Sequence, residues 1–233
     1  MLMIDENKNC WLTEACNQKD CDTFCLRRFK LNYLYTQALV SEEQRKRVVL
    51  RVDDDLTDSQ IFDQLQFIAA HIEEAVRGGL NLYLYSSITG NGKTAWALRL
   101  LQEYFNKIWV RSDLTCRALF INVPKFFLAL KDNISEKNEY IAQIKANVLK
   151  ADLVIWDEVA LKTLTPFEME NLLNLINNRI DLGKSNIYTS NISPEELLVL
   201  VGDRLYSRII KLSTVLQFKG QDKRFLKKFD FPV

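Results

Sequence analysis

Apolar residues recur along this chain in two spacings, and the switching between them predicts its elements. Leu80-Asn81-Leu82-Tyr83-Leu84-Tyr85 is a short apolar run that reads as a strand. Leu153-Val154-Ile155-Trp156 fits a strand buried on both faces of a parallel sheet. The expected strands are 80–86, 117–123, 152–157, 185–190 and 214–219. Helices are expected at 94–106, 124–132, 138–149, 166–181, 194–200 and 203–211. A further helix, 61–76, leads to a stop at Gly78-Gly79. Strict alternation of strand and helix predicts an α/β fold, a five-stranded parallel sheet covered by flanking helices.

The chain before this region is patterned differently. Residues 24–39 are amphipathic, with Leu26, Phe29, Leu31, Leu34, Tyr35 and Leu39 at helical spacing. Residues 41–57 are polar, with Arg45-Lys46-Arg47 and then Asp53-Asp54-Asp55. The expected organisation is a small N-terminal module, 1–50, a linker, 51–60, and the sheet domain, 61–233.

Two strand ends carry candidate chemistry. Residues 87–94 read Ser-Ile-Thr-Gly-Asn-Gly-Lys-Thr, directly after the first strand and before a helix. The phosphate-loop pattern is G-x-x-x-x-G-K-[ST], in which glycines let successive N–H groups face one anion at a helix N-terminus. Ser87, Ile88, Thr89, Gly90, Asn91, Gly92, Lys93, Thr94 and Ala95 are therefore the candidate phosphate-binding residues. Lys93 would reach the β- and γ-phosphates, and Thr94 would offer its hydroxyl to Mg²⁺. Ser87 departs from the pattern, standing where it has its first glycine. The second site is Asp157-Glu158, at the end of the third strand, where open α/β sheets place ligands. Asp157 would hold Mg²⁺ through water, and Glu158 would orient and deprotonate an attacking water.

Composition narrows the class. The 233 residues are 48% hydrophobic and 26% charged, ordinary values for a soluble globular chain with one substantial core. No apolar stretch approaches the ~20 residues of a membrane span. The first residues lack a signal peptide's basic and apolar regions, so a cytoplasmic location is expected. A net charge of +1 offers no global field for nucleic acid. Any such contact must come from local patches, such as residues 45–47 or 219–228.

Cysteine usage adds a metal question. Cys10, Cys16, Cys21 and Cys25 fall within sixteen residues, a density that suits four thiolates on tetrahedral Zn²⁺. The spacing is not that of paired C-x₂-C knuckles, and an iron–sulfur cluster takes the same ligands. Cys116 and His71, the single histidine, are expected to be structural.

These motifs resemble those of AAA+ replicative helicase loaders of the DnaC/DnaI type, with the IstB transposition ATPase as a relative. Walker A at 87–94 and Walker B at 153–158 are followed by Tyr188-Thr189-Ser190-Asn191, which looks like a sensor 1 strand. Asp203-Arg204-Leu205-Tyr206-Ser207-Arg208-Ile209 resembles an arginine-finger helix, and residues 216–224, ending in Arg224, resemble the closing segment of lid-less members. The resemblance covers residues 60–224 and implies a P-loop AAA+/ASCE sheet. With fourteen residues after the last expected strand, a C-terminal helical lid is not expected.

What the resemblance implies is specific. Asn191 would contact the γ-phosphate or attacking water, and Arg208 would enter a neighbouring subunit's site. Arg204 would share the face of Arg208, and Arg224 would act as a sensor 2 residue. The segment opened by Pro124-Lys125-Phe126 would meet single-stranded DNA, Lys125 on phosphate and Phe126 on a base. The Cys-rich module would dock on a DnaB-type replicative helicase, and the sheet domain would self-associate. The expected function is ATP-dependent loading of that helicase, as an Mg²⁺-dependent ATPase. The alternatives are an IstB-like transposition ATPase and a non-hydrolysing nucleotide-binding adaptor.

Overall fold

The computed structural model describes residue 12 and residues 25–45, 56–135 and 139–222. Five strands form one parallel sheet in the order β2-β3-β4-β1-β5. They are β1 (Asn81–Tyr85), β2 (Ala118–Asn122), β3 (Leu153–Asp157), β4 (Ser185–Ser190) and β5 (Thr214–Gln217). All five expected strands are present. Every residue of β3 and β4 is buried, as strands covered on both faces require.

The two-residue period of the strands divides the core. On one face Leu82, Leu84, Ile155, Ile187 and Leu216 pack with α1 (Leu26–Gln37), α3 (Ser59–Ala70), α4 (Ile72–Arg77) and α5 (Lys93–Ile108). On the other, Tyr83, Leu119, Ile121, Val154, Trp156 and Tyr188 pack with α6 (Val123–Ser135), α7 (Glu139–Lys150), α8 (Pro166–Asp181) and α9 (Pro194–Ile209). Helices α8 and α9 each begin with a reciprocal capping box, Thr165/Glu168 and Ser193/Glu196, followed by proline. One buried cation serves this architecture. Arg179 donates to the carbonyls of Val148, Ala151 and Ser185 and to Asn186 Oδ1, which ties α8 to the starts of β3 and β4. Burial lowers its pKa to about 10.

Three expectations change. The helix expected at 61–76 is broken at His71, whose φ of −109° leaves the α region. The imidazole Nδ1 lies 3.0 Å from the Phe67 carbonyl, which also accepts the His71 N–H, so the side chain competes with the helix ladder. The helices expected at 194–200 and 203–211 form one run, α9, kinked at Gly202 where φ is +71°.

The third change concerns the N-terminal stretch. Leu31, Leu34 and Tyr35 of α1 are buried in the core shared with α5, whereas Leu26 and Phe29, expected on the same face, are each 60% exposed. Ala38 accepts a hydrogen bond from Phe120 N at 2.8 Å, so this segment covers the free edge of β2. Lys30 Nζ reaches the Val110 carbonyl at 2.8 Å. Gln102 Nε2 reaches that of Gln44 in α2 (Glu42–Arg45) at 3.0 Å. The described residues 25–45 therefore pack against the sheet domain.

Candidate nucleotide site

The loop after β1 curls around its own side chains. Ser86 Oγ accepts from Ile88 N at 3.1 Å and from Asn91 Nδ2 at 2.6 Å. Gly90 and Gly92 have φ of +74° and +107°, where a side chain is strained. Ser87 is not among the residues with positive φ, so the departure from the loop pattern falls where no glycine is needed. Gly92 caps α5, whose first residues are Lys93 and Thr94. Lys93 is buried, and its ammonium donates to the Ile88 carbonyl at 3.0 Å and to Asn91 Oδ1 at 3.1 Å.

The acidic edge faces this loop because register aligns the strand ends. Asn122 of β2 pairs with Asp157 of β3, and Tyr85 of β1 with Ser190 of β4. Asp157 Oδ1 accepts from Thr94 Oγ1 at 2.8 Å and from Thr189 Oγ1 at 2.7 Å. Glu158 has a φ of +59°, which lifts it out of the strand direction and into the cleft. Its carboxylate accepts from Asn122 Nδ2 at 2.9 Å, and its N–H donates to Thr189 Oγ1 at 3.1 Å. The resulting cleft, of about 370 Å³, is lined by the loop from Thr89 to Ala95 and by Glu158, Thr189, Ser190 and Asn191.

The geometry fits a polyphosphate with a hard divalent cation. Two positive-φ glycines and a helix N-terminus form an anion cradle beside an ammonium. Thr94, Asp157, Thr189 and Glu158 form an all-oxygen set, the donors that Mg²⁺ takes. Asp157 lies beneath Thr94 and Thr189 rather than on the cleft wall.

The other predicted residues divide. Asn191 lines the cleft, whereas Ser87 and Ile88 lie outside its wall. Arg204 and Arg208 are exposed on α9 and do not line it. Lys125 is exposed at the start of α6, but Phe126 is 6% exposed and packed in the core, so its ring has no face for a base. That stacking role is withdrawn. Arg224, Cys10, Cys16 and Cys21 lie outside the described residues. Cys25 caps α1, its Sγ accepting from Arg28 N at 3.4 Å. Cys116 is half-buried beside the Gln37 carbonyl, and burial pushes its thiol up to about 11, as befits a structural residue.

Asn122 and Thr189 were missed. The signal was available: each is a polar residue at the C-terminal end of an apolar strand, as Asp157 is.

Fold and loop together define a P-loop ATP-binding protein. The chain belongs to the IstB-like ATP binding protein family, whose model matches residues 55–230. No protein of curated function matches the sequence. Among solved structures it is similar to the DnaC helicase loader, with 17% identity and a TM-score of 0.64 over 77% of this chain and 100% of that one. It is similar also to DnaI, with 17% identity and a TM-score of 0.59 over 76% of this chain and 88% of that one. A third is the replication initiator DnaA bound to AMPPCP and single-stranded DNA, with 19% identity and a TM-score of 0.55 over 73% of this chain and 48% of that one. These likenesses show a shared fold. Among the described residues, no helix is long and apolar enough to cross a membrane.

Proposed function

We propose that this chain is an ATP-dependent loader that places a DnaB-type replicative helicase on single-stranded DNA in the cytoplasm. The observation that carries the reading is the cleft lined by Lys93, Thr94 and Glu158, with Asp157 held beneath it by Thr94. The similarity to DnaC over nearly all of that chain gives the direction. Lys93 pairs with the β- and γ-phosphates once drawn off Ile88 and Asn91. Thr94 and Asp157 would hold Mg²⁺, which would supply neutralisation of the phosphate charge. Glu158 takes the proton of the attacking water, and Asn191 orients that water or the γ-phosphate. Asn122 positions the Glu158 carboxylate until ligand arrives.

Arg208, exposed and off the chain's own cleft, serves a neighbouring subunit's site in a self-assembled ring or spiral, with Arg204 on the same face. Lys125 remains the candidate DNA contact. Elemental analysis of the purified chain reads directly whether the four N-terminal cysteines hold Zn²⁺ in a helicase-docking segment.

The test is reconstitution. The purified chain should form a complex with the replicative helicase of its own source and transfer it to single-stranded DNA only with hydrolysable ATP. A second reading has support in the family match itself, an IstB-like transposition ATPase acting on duplex DNA. ATP-dependent assembly on duplex, with no helicase complex, would select it.

A further inference from the structure

The chain beyond β5 is tied down at consecutive points. Phe218 N donates to the Tyr85 carbonyl at 2.8 Å, and the Phe218 ring is buried 6.2 Å from that of Phe62. The next two N–H groups, of Lys219 and Gly220, both reach one buried carboxylate, that of Asp58, at 2.8 Å and 2.9 Å. A carboxylate holding two successive backbone donors is a charge-assisted clamp. A β-carbon on Gly220 would come within 2.8 Å of Asp58 Oδ2, so glycine lets the chain pass this close.

Two residues past the clamp stands a second carboxylate, Asp222. It lies against the phosphate loop: a β-carbon on Gly90 would meet Asp222 Oδ1 at 1.9 Å and Oδ2 at 2.7 Å. An anion therefore rests on the loop whose backbone and helix dipole are arranged to receive anions.

We propose that Asp222 is a nucleotide-discriminating residue, held on the phosphate loop by the Asp58 clamp and opposing the phosphates of an incoming nucleotide. The inference rests on the loop being the nucleotide site. Asp58 is the positioning residue, because it touches backbone and acts through Asp222. Repulsion between like charges grows with the number of phosphates, so the carboxylate weakens ATP more than ADP and ADP more than AMP. Nucleotide binding relieves the repulsion by moving Asp222 off Gly90.

The test uses the full chain and competition by AMP, ADP and ATP against a fluorescent nucleotide at low salt. Asp222→Asn keeps the shape and removes the charge. It should tighten ATP by about threefold to tenfold, ADP less and AMP hardly at all. The gain should shrink as salt screens the interaction. Asp58→Ala should reproduce part of that gain, and the double variant should gain no more than Asp222→Asn alone. If Asp58→Ala does not fold, Asp222→Asn decides alone, its melting temperature without nucleotide serving as the control. Unchanged or weaker ATP binding, or an equal gain for all three nucleotides, overturns the inference. The two failures are separable: wild-type protein that binds no nucleotide removes the site itself. Binding that Lys93→Ala abolishes and Asp222→Asn leaves unchanged removes only the role of Asp222.

Discussion

The two ends of β3 carry carboxylates in opposite circumstances. At the N-terminal end Asp152 accepts from Arg117 Nη2 at 2.7 Å, Lys184 Nζ at 2.8 Å and Tyr104 Oη at 3.0 Å. These partners come from the approach to β2, the approach to β4 and α5, so one charge pins three elements at the sheet's lower edge. Burial and the nearby Asp152 push the Tyr104 phenol upward, which keeps it a donor. At the C-terminal end Asp157 is only 5% exposed, and its partners and those of Glu158 are the hydroxyls of Thr94 and Thr189 and the amide of Asn122. No cation among the described residues lies within ion-pair distance of either carboxylate. A buried carboxylate without a counter-charge costs several kcal/mol. One end of the strand pairs its charge with cations of the fold, and the other meets only hydroxyls and an amide.

The comparison can be broken at either end. Lys93→Ala takes away an ammonium beside the loop and should abolish ATP binding, a loss of at least about a hundredfold in calorimetric affinity. Unchanged affinity would mean that phosphates go elsewhere. Glu158→Gln keeps the Asn122 contact but loses basicity. Hydrolysis should fall by about 10²–10⁴-fold while ATP still binds, read by turnover with helicase and single-stranded DNA present.

Arg208→Ala should leave nucleotide binding by single subunits nearly intact and impair hydrolysis in assemblies. Mixing it with Lys93→Ala should restore some turnover, because an intact Arg208 then meets an intact loop. Mixed assemblies without restored turnover would confine Arg208 to its own chain or to structure.

The sharpest test of the comparison pairs two isosteric changes. Asp152→Asn should lower stability to denaturant by about 1 kcal/mol and spare nucleotide affinity. Asp157→Asn should raise stability without ligand and remove the Mg²⁺ dependence of nucleotide binding. Equal effects would erase the distinction between the two ends.

The smallest effect concerns Glu168, which caps α8 and pairs with Lys131 at 2.8 Å. Burial pushes its carboxyl up, but Lys131 and the Thr165 donors outweigh burial and hold it below its usual 4.5. A carboxylate depressed in the folded state stabilises above its unfolded pKa, and that contribution is lost as pH falls through the folded value. Glu168→Gln should therefore be less stable than wild type at pH 7, with the gap closing below about pH 4 in thermal melts.

Sequence alone determined the strands, the phosphate loop and the acidic pair. Each is encoded within a few adjacent residues: a continuous apolar run, glycines before Lys93, and carboxylates at a strand end. Local pattern has the range to specify such features, because strand burial and loop curvature are set by near neighbours. It could not say that Phe126 turns inward, that His71 breaks a helix, or that α1 closes the edge of β2. Nor could it bring Asn122 to Glu158, 36 positions apart, Thr189 to Asp157, 32 apart, or Asp58 to Gly220, 162 apart. Those meetings depend on strand order and register, and a slip of one residue would send every side chain to the opposite face. The parts of the site lie in the sequence, but their convergence is a property of the sheet.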